Sequence, residues 1–441
     1  MSARKNEKLT EAAIRYVYSF VLLMVLPLLL LLFRKKLKMK HVEGPKRSFM
    51  ERFGKVPDSF VKNSVLFHCV SIGELNAASG LIKVIQAKHP EKTITISTSS
   101  TTGAEHAYAL FANTVQHVFL PIDIPWFMSR FLKSLSPSLV LVTEVEIWPN
   151  MLAQCAQRNI PTCLINARLS EASLPTYRRL RWLLRPALKK FDLVCAQSQQ
   201  AFDNFRQLGV YKSQMRLTLN MKFDLELNPS DTEKAAWLSR VLASQQGIYL
   251  LGASTHESEE SLMLNVYQAL KQAHPGMTLI LVPRHPHRFD EVYLQIKASG
   301  LSLTRLSHVK SDKTLSAPTD VVLVDMMGQL KACYSICDVA FIGGSFVPKG
   351  GHNALECALY GKPMVMGESI FNNPYIVSML ASKQALKLVA NESECISAFR
   401  DLLADPHAAR KRGQKGLEVL NQNRGAVQRT YTEISAYLKW F

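Results

Sequence analysis

The chain has 441 residues, of which 47% are hydrophobic and 20% charged, and a formal net charge of +18. That length exceeds one ordinary core and implies two domains, and the composition excludes a disordered or fibrous polypeptide. The surplus of positive charge points to an acidic partner, nucleic acid or an anionic membrane surface.

The location of the charge decides between those partners. The first 50 residues hold eleven Lys and Arg against three Glu, a net of +8, flanking an uncharged run of eighteen residues from Tyr16 to Phe33. At about 1.5 Å rise per residue such a helix approaches the thickness of the bilayer hydrocarbon. No small-residue cleavage site follows; the basic stretch Arg34-Lys-Lys-Leu-Lys-Met-Lys40 does, so the run reads as a membrane anchor rather than a removed leader. The positive flank places the C-terminal bulk in the cytoplasm. Pro27 and the modest length leave an interface-lying helix as the alternative. No interleaving of aromatic and basic residues supports nucleic acid.

From residue 65 short β-branched runs alternate with amphipathic helical patterns. Strands are predicted at 65–70, 93–97, 139–142, 162–165 and 193–196, with helices at 76–88, 147–158 and 177–190. The last of these helices carries Arg178, Arg179, Arg181, Arg185, Lys189 and Lys190 without an acid, either a solvated face or a contact for anionic lipid. A polar break, Asn228-Pro-Ser-Asp231, opens a helix through Arg240. The alternation then restarts with strands at 248–252, 278–282, 321–324, 339–342 and 364–366 and a helix at 258–273. Helical patterns at 392–403, 406–420 and 425–438 close the chain. This is the pattern of an α/β protein with two doubly wound, Rossmann-like domains facing a cleft, in which ligands bind at the carboxyl ends of the strands. The expected division is an anchor and basic flank over 1–40, a first domain over 41–224 and a second over 225–441.

Several loops at strand ends carry chemistry. Glu74 follows the first strand in Ser71-Ile-Gly-Glu74, where it is either a helix-start carboxylate or a general base with a pKa raised by shielding. Glu144 and Glu146 follow the 139–142 strand, with Trp148 as a packing residue. Lys222, just before the domain break, offers an ammonium to a phosphate or a carboxylate. Ser254-Thr-His-Glu257 reads as a cap with phosphate donors. Arg284, after the 278–282 strand, brings a planar fork suited to phosphate or carboxylate. Residues 325–329 supply backbone groups around a base. Gly350-Gly-His-Asn-Ala-Leu-Glu356 reads as a phosphate-binding turn, or as a helix start with glycines for close packing; Glu356 is placed to accept from a ribose diol. Eight scattered cysteines read as small core residues in a reducing compartment. His285 and His287 lack the Cys or carboxylate companions that a metal site needs.

These motifs together resemble the Kdo transferases of Gram-negative lipopolysaccharide synthesis, glycosyltransferases of the two-domain GT-B fold. The resemblance rests on Val70-Ser-Ile-Gly-Glu74, Glu144-Val-Glu-Ile-Trp-Pro-Asn150, Asn166-Ala-Arg-Leu-Ser170, Lys222-Phe-Asp224, Ser254-Thr-His-Glu257, Val282-Pro-Arg-His-Pro286, Gly343-Gly-Ser345 and Gly350 to Glu356. It implies transfer of Kdo with inversion from CMP-Kdo to lipid IVA, a bisphosphorylated and acylated glucosamine disaccharide, at the cell inner membrane. By resemblance, Glu74 is the catalytic base, and Glu144 and Lys222 stabilise the transition state. Pro283, Arg284, Met327, Gly328, Gln329, Asn353, Ala354, Leu355 and Glu356 hold CMP. No metal and no separate cofactor are implied. The chain departs from the family at Asn220, where glycine is usual, and at Ala354, where proline is common. A UDP-sugar epimerase or a UDP-dependent lipid A disaccharide synthase on the same fold is the alternative enzyme, and a basic membrane tether for nucleic acid the non-enzymatic one.

Overall fold

The computed structural model describes residues 2–33, 49–245, 247–309, 314–315 and 318–438; the basic flank after the anchor lies outside them. The chain forms two compact units, Met1–Asp224 together with Arg424–Phe441, and Leu225–Asn423. Each is built on one parallel seven-stranded sheet.

In the first unit β1 (Val65–His68), β2 (Ile94–Thr98), β3 (Gln116–Phe119), β4 (Leu139–Thr143), β5 (Thr162–Ala167), β6 (Leu193–Ala196) and β7 (Met215–Leu217) lie in the order β3-β2-β1-β4-β5-β6-β7. Central β4 reads Leu-Val-Leu-Val-Thr and is buried throughout, as a parallel strand covered on both faces must be. Alternation sends Leu139 and Leu141 to one face with Val65, Phe67, Ile94 and Ile165. Val140 and Val142 go to the other with Leu66, Val118 and Leu164. The helix Ile72–Lys88 covers the first face through Leu75, Leu81, Ile82 and Ile85. Phe131, Met151, Leu152 and Leu188 cover the second.

In the second unit β8 (Tyr249–Thr255), β9 (Thr278–Pro283), β10 (Leu303–Arg305), β11 (Val321–Leu323), β12 (Val339–Ile342), β13 (Met364–Met366) and β14 (Leu386–Leu388) lie in the order β10-β11-β9-β8-β12-β13-β14. Leu250, Leu279, Leu281, Leu323 and Phe341 pack with Met263 and Tyr267 of the helix Glu259–Lys271 and with Phe399 of the helix Glu392–Ala404.

Periodicity identified five strands in each half. The four it lacked, β3, β7, β10 and β14, are the four sheet edges. Three of them have three residues each and are partly exposed, and β3 carries Gln116 and His117, so no apolar alternation develops.

The end of the chain also differs from the division that kept 225–441 together. Helix Ala426–Leu438 packs in the first unit, where Val427, Ile434 and Leu438 join the core over Ile82 and Ile85. His89 Nε2 meets the Tyr431 hydroxyl at 3.1 Å. Asp224 accepts the Gly425 and Val427 N–H groups at 2.6 and 2.5 Å, capping that helix. Amphipathic periodicity predicts such a helix without saying which sheet it covers.

The helix Ser2–Phe33 contains, from Glu11 to Leu28, a segment long and apolar enough to cross a membrane. Tyr16, Phe20, Met24 and Leu28 are exposed on it. Its other side rests on the first unit, with Glu11 paired to Lys190 at 3.0 Å and Asn150 Nδ2 donating to Ser19 Oγ at 3.0 Å. All eight cysteines are buried and unbridged.

Replacing Asp224 by Ala removes two charge-assisted acceptors from the start of helix Ala426–Leu438 and is expected to lower stability by about 2 kcal/mol. Urea unfolding of the full chain measures this; an unchanged midpoint and slope refute the cap.

Candidate active site

In the first unit, β1 and β4 deliver their C-terminal ends side by side, since Val65 to His68 pair in register with Leu139 to Val142. Ser71 caps the helix that follows β1, accepting from Glu74 N–H at 3.2 Å, and Glu74 reaches back to Val70 N–H at 2.7 Å. The Ser71 cap and the bond from Glu74 to the residue before it tie the helix start to the end of β1. Glu74 is 8% exposed and also faces the Thr143 hydroxyl at 2.9 Å, while the same hydroxyl lies 2.8 Å from the His68 carbonyl. One hydroxyl has one proton. With Glu74 ionised, carboxylate and carbonyl compete for it; with Glu74 protonated, the acid donates to Thr143 and Thr143 serves His68. Burial pushes the Glu74 carboxyl above the usual carboxylate range, and neighbouring Glu144 adds to this against the pull of the Val70 N–H. A bond to Val70 N–H and a raised affinity for a proton thus coexist in one side chain.

Glu144 takes a left-handed backbone conformation, φ 56°, which turns the chain sharply off β4. Its carboxylate meets Lys222 Nζ at 2.8 Å, both side chains being largely buried. Lys222 lies in a short 3-10 turn, Met221–Phe223, whose preceding Asn220 accepts from Lys222 N–H at 3.0 Å. The side chain that departs from the family therefore helps hold the lysine. Burial first, then the charge of Glu74, lifts Glu146 to about 7. Trp148 Nε1–H donates to His68 Nε2 at 3.2 Å. Because an indole only donates, His68 carries its proton on Nδ1 and donates to Ser97 Oγ at 3.0 Å. Burial holds this imidazole down at about 4.

In the second unit the ends of β8, β9 and β12 converge. Pro283 closes β9, and Arg284 N–H donates to Thr255 O at 2.9 Å; the Arg284 guanidinium forms no ion pair among the described residues. Asn353 caps the helix Ala354–Leu359, accepting from Leu355 N–H at 3.2 Å. Ala354 and Leu355 are buried core residues, so they can meet a ligand only through their main chain. Burial raises the Glu356 carboxyl, opposed by Lys331 and Arg284 nearby. Met327 is exposed, Gly328 has φ 77°, and Gln329 is 8% exposed with a buried Oε1 that has no partner. That oxygen is an acceptor available to the amino group of a base. Asp325 is consumed internally by Arg305 and Ser307.

Two features escape pattern reading. Glu259, fully buried, accepts from His256, Gly344, Ser345 and Phe346 N–H at 2.8 to 3.0 Å, and it lies just past the Ser254 to Glu257 segment. His256 and His352, far apart in sequence, meet at 2.9 Å. Neither has a periodic signal; only the parallel sheet brings them together. Among the described residues no group of His, Cys, Asp or Glu has a metal-binding arrangement.

The family profile described as 3-deoxy-D-manno-octulosonic-acid transferase (kdotransferase) matches residues 47–225. The 3-deoxy-D-manno-octulosonic acid transferase of Haemophilus influenzae is 34% identical over 430 residues, 96% of this chain and 99% of that protein. The Bordetella pertussis protein of that description is 31% identical over 387 residues, 85% and 87% of the two chains. The UDP-GlcNAc 2-epimerase from Neisseria meningitidis superposes with a TM-score of 0.54 at 14% identity, over 84% of this chain and 100% of that one, a likeness of fold.

Glu146 supplies a pH test. Its folded pKa of about 7 lies above the ordinary carboxyl value of 4.5, so between those pH values the folded state holds the proton that the unfolded state releases. Stability therefore falls as pH rises through this window and stays lowered above it. Glu146→Gln is expected to gain on the native protein above about pH 7 and to lose that gain below about pH 4.5; parallel stability curves for the two proteins in thermal melts contradict the assignment.

Proposed function

The chain belongs to the 3-deoxy-D-manno-octulosonic acid (Kdo) transferase family, and from that premise we propose that it transfers Kdo from CMP-Kdo to lipid IVA with inversion at the anomeric carbon. The observation that carries the catalytic part is Glu74, a buried carboxyl held by Val70 N–H and Thr143 with its affinity for a proton raised by burial. Such a group accepts a proton near neutrality more readily than a solvated carboxylate does.

In the proposed step an acceptor hydroxyl oxygen bonds to the anomeric carbon as its proton passes to Glu74. The bond from that carbon to the phosphate oxygen breaks, and CMP departs with the electron pair. Lys222, positioned by Glu144 and Asn220, stabilises the charge that develops. Thr143, whose hydroxyl can reverse its hydrogen bond, accommodates Glu74 in both protonation states. Arg284, the Asn353 cap with the first amide groups of helix Ala354–Leu359, and Gln329 hold the cytidylate, with Glu356 toward the ribose. Their cations and amide groups meet the leaving phosphate without a metal in this scheme. The helix Ser2–Phe33 anchors the enzyme in the inner membrane with its catalytic units on the cytoplasmic side, where basic residues such as Arg178 and Arg181 meet anionic lipid.

Purified full-length protein incubated with lipid IVA and CMP-Kdo is expected to give a product heavier by one or more Kdo residues, read by mass spectrometry. Glu74→Gln is expected to lower kcat by about 10²- to 10⁴-fold while CMP still binds. Native kcat/KM is expected to fall on the acid side as Glu74 becomes protonated, and full activity in Glu74→Gln would sink the base assignment.

A further inference from the structure

The histidines at the strand ends of the second unit form a built cluster. His256 Nε2 lies 2.9 Å from His352 Nε2, with the rings parallel within 6° and their centroids 5.1 Å apart. His285 packs edge-on against His256 at 5.3 Å, and His287 stacks on His285 at 5.3 Å. The pair is rigidly mounted. His256 N–H is bound by Glu259 at 2.9 Å and His352 N–H by the Gly343 carbonyl at 3.0 Å. Gly344, at φ 70°, approaches the His352 ring so closely that a Cβ there would sit 3.1 Å from Cδ2 and Nε2.

The charges around the pair are one-sided. Burial, then His285, Lys349, Arg284 and Arg288, hold His256 at about 4. Burial, Arg284, His256 and His285 hold His352 at about 3. Both rings are therefore neutral near neutral pH. Arg288 is spent on Glu260 and Glu291 at 2.8 and 3.0 Å, and Glu259 on its four amide groups. Glu356 acts on Arg284 through space without an ion pair. Arg284 and Lys349 thus stand beside two imidazole nitrogens that satisfy only each other, and no carboxylate among the described residues pairs with these cations.

We infer that His256 and His352, with Lys349 beside them and with Arg284 shared with the nucleotide's phosphate, form the site for the carboxylate of the donor's sugar acid. On binding, the bond between the rings opens and one ring shifts its proton from Nδ1 to Nε2. Each Nε2–H then donates to one carboxylate oxygen, with no net proton uptake. The cations supply the charge, and the rigid pair supplies the spacing that selects a planar carboxylate. This inference rests on the CMP-Kdo reading above.

The test compares two ligands on the full-length enzyme: KM for CMP-Kdo, and the inhibition constant of CMP, which lacks the carboxylate. In His256→Ala and His352→Ala the KM for CMP-Kdo is expected to rise by about tenfold or more, the loss of a hydrogen bond to a charged group. Inhibition by CMP is expected to change by less than about twofold, since nucleotide contacts persist. His352→Gln, which keeps an N–H donor close to the Nε2 position, recovers part of the loss. Equal weakening of both ligands, or of neither, overturns the carboxylate site and leaves the nucleotide reading standing. Failure of the native enzyme to bind either ligand overturns both.

Discussion

A carboxyl group sealed from water, that of Glu259, sets the geometry of the second unit's strand ends. Its two oxygens take four amide hydrogens, one from the end of β8 and three from the turn after β12. Bringing such a group into the interior costs several kcal/mol, and charge-assisted bonds from fixed backbone dipoles offset it. Ser345 extends the lock, donating to the Ile342 carbonyl at 2.6 Å and accepting from Gly367 N–H at 2.9 Å. The loops carrying His256, His352 and the Asn353 cap are thereby fixed relative to one another before any ligand arrives, the condition for electrostatic preorganisation.

The two units solve opposite electrostatic problems. The first gathers acids: Glu74, Glu144 and Glu146 lie within mutual influence at the ends of β1 and β4, and burial raises Glu74 and Glu146. Glu144 has the Lys222 ammonium in contact. The second gathers cations and neutral imidazoles around Arg284. Acids with raised proton affinity thus collect in the first set and uncompensated positive charge in the second, each by the burial of its own cluster. In the first unit hydrogen bonds restrain the acids without quenching them, since the Thr143 hydroxyl stands between the Glu74 carboxyl and the His68 carbonyl and the protonation state of Glu74 decides which of them it serves.

Much of this was legible before any coordinates. The central strands announce themselves because burial on both faces demands continuous Val, Ile and Leu, and the candidate residues Glu74, Glu144, Arg284 and Asn353 fall where parallel sheets present their loops. What stayed hidden is long-range. Edge strands such as β10 and β14 bury too little to leave a pattern. Glu259 looks like an ordinary acid in the first turn of a helix, and the contact of His256 with His352 spans 96 positions. Asn220 was readable as a departure from the family, but its compensating bond to the Lys222 backbone was not.

The return of helix Ala426–Leu438 to the first unit has a consequence for biogenesis. Leu225–Asn423 is contiguous and complete once its last residue is made, whereas the first unit needs the final segment of the chain to cover Ile82 and Ile85. Domains made on the ribosome generally fold as units, N-terminal first; here the N-terminal one must wait with an unfinished core until helix Ala426–Leu438 follows the second unit. Helix Ala426–Leu438 closes that core, and a chain interrupted before it leaves an apolar seam over Ile82 and Ile85.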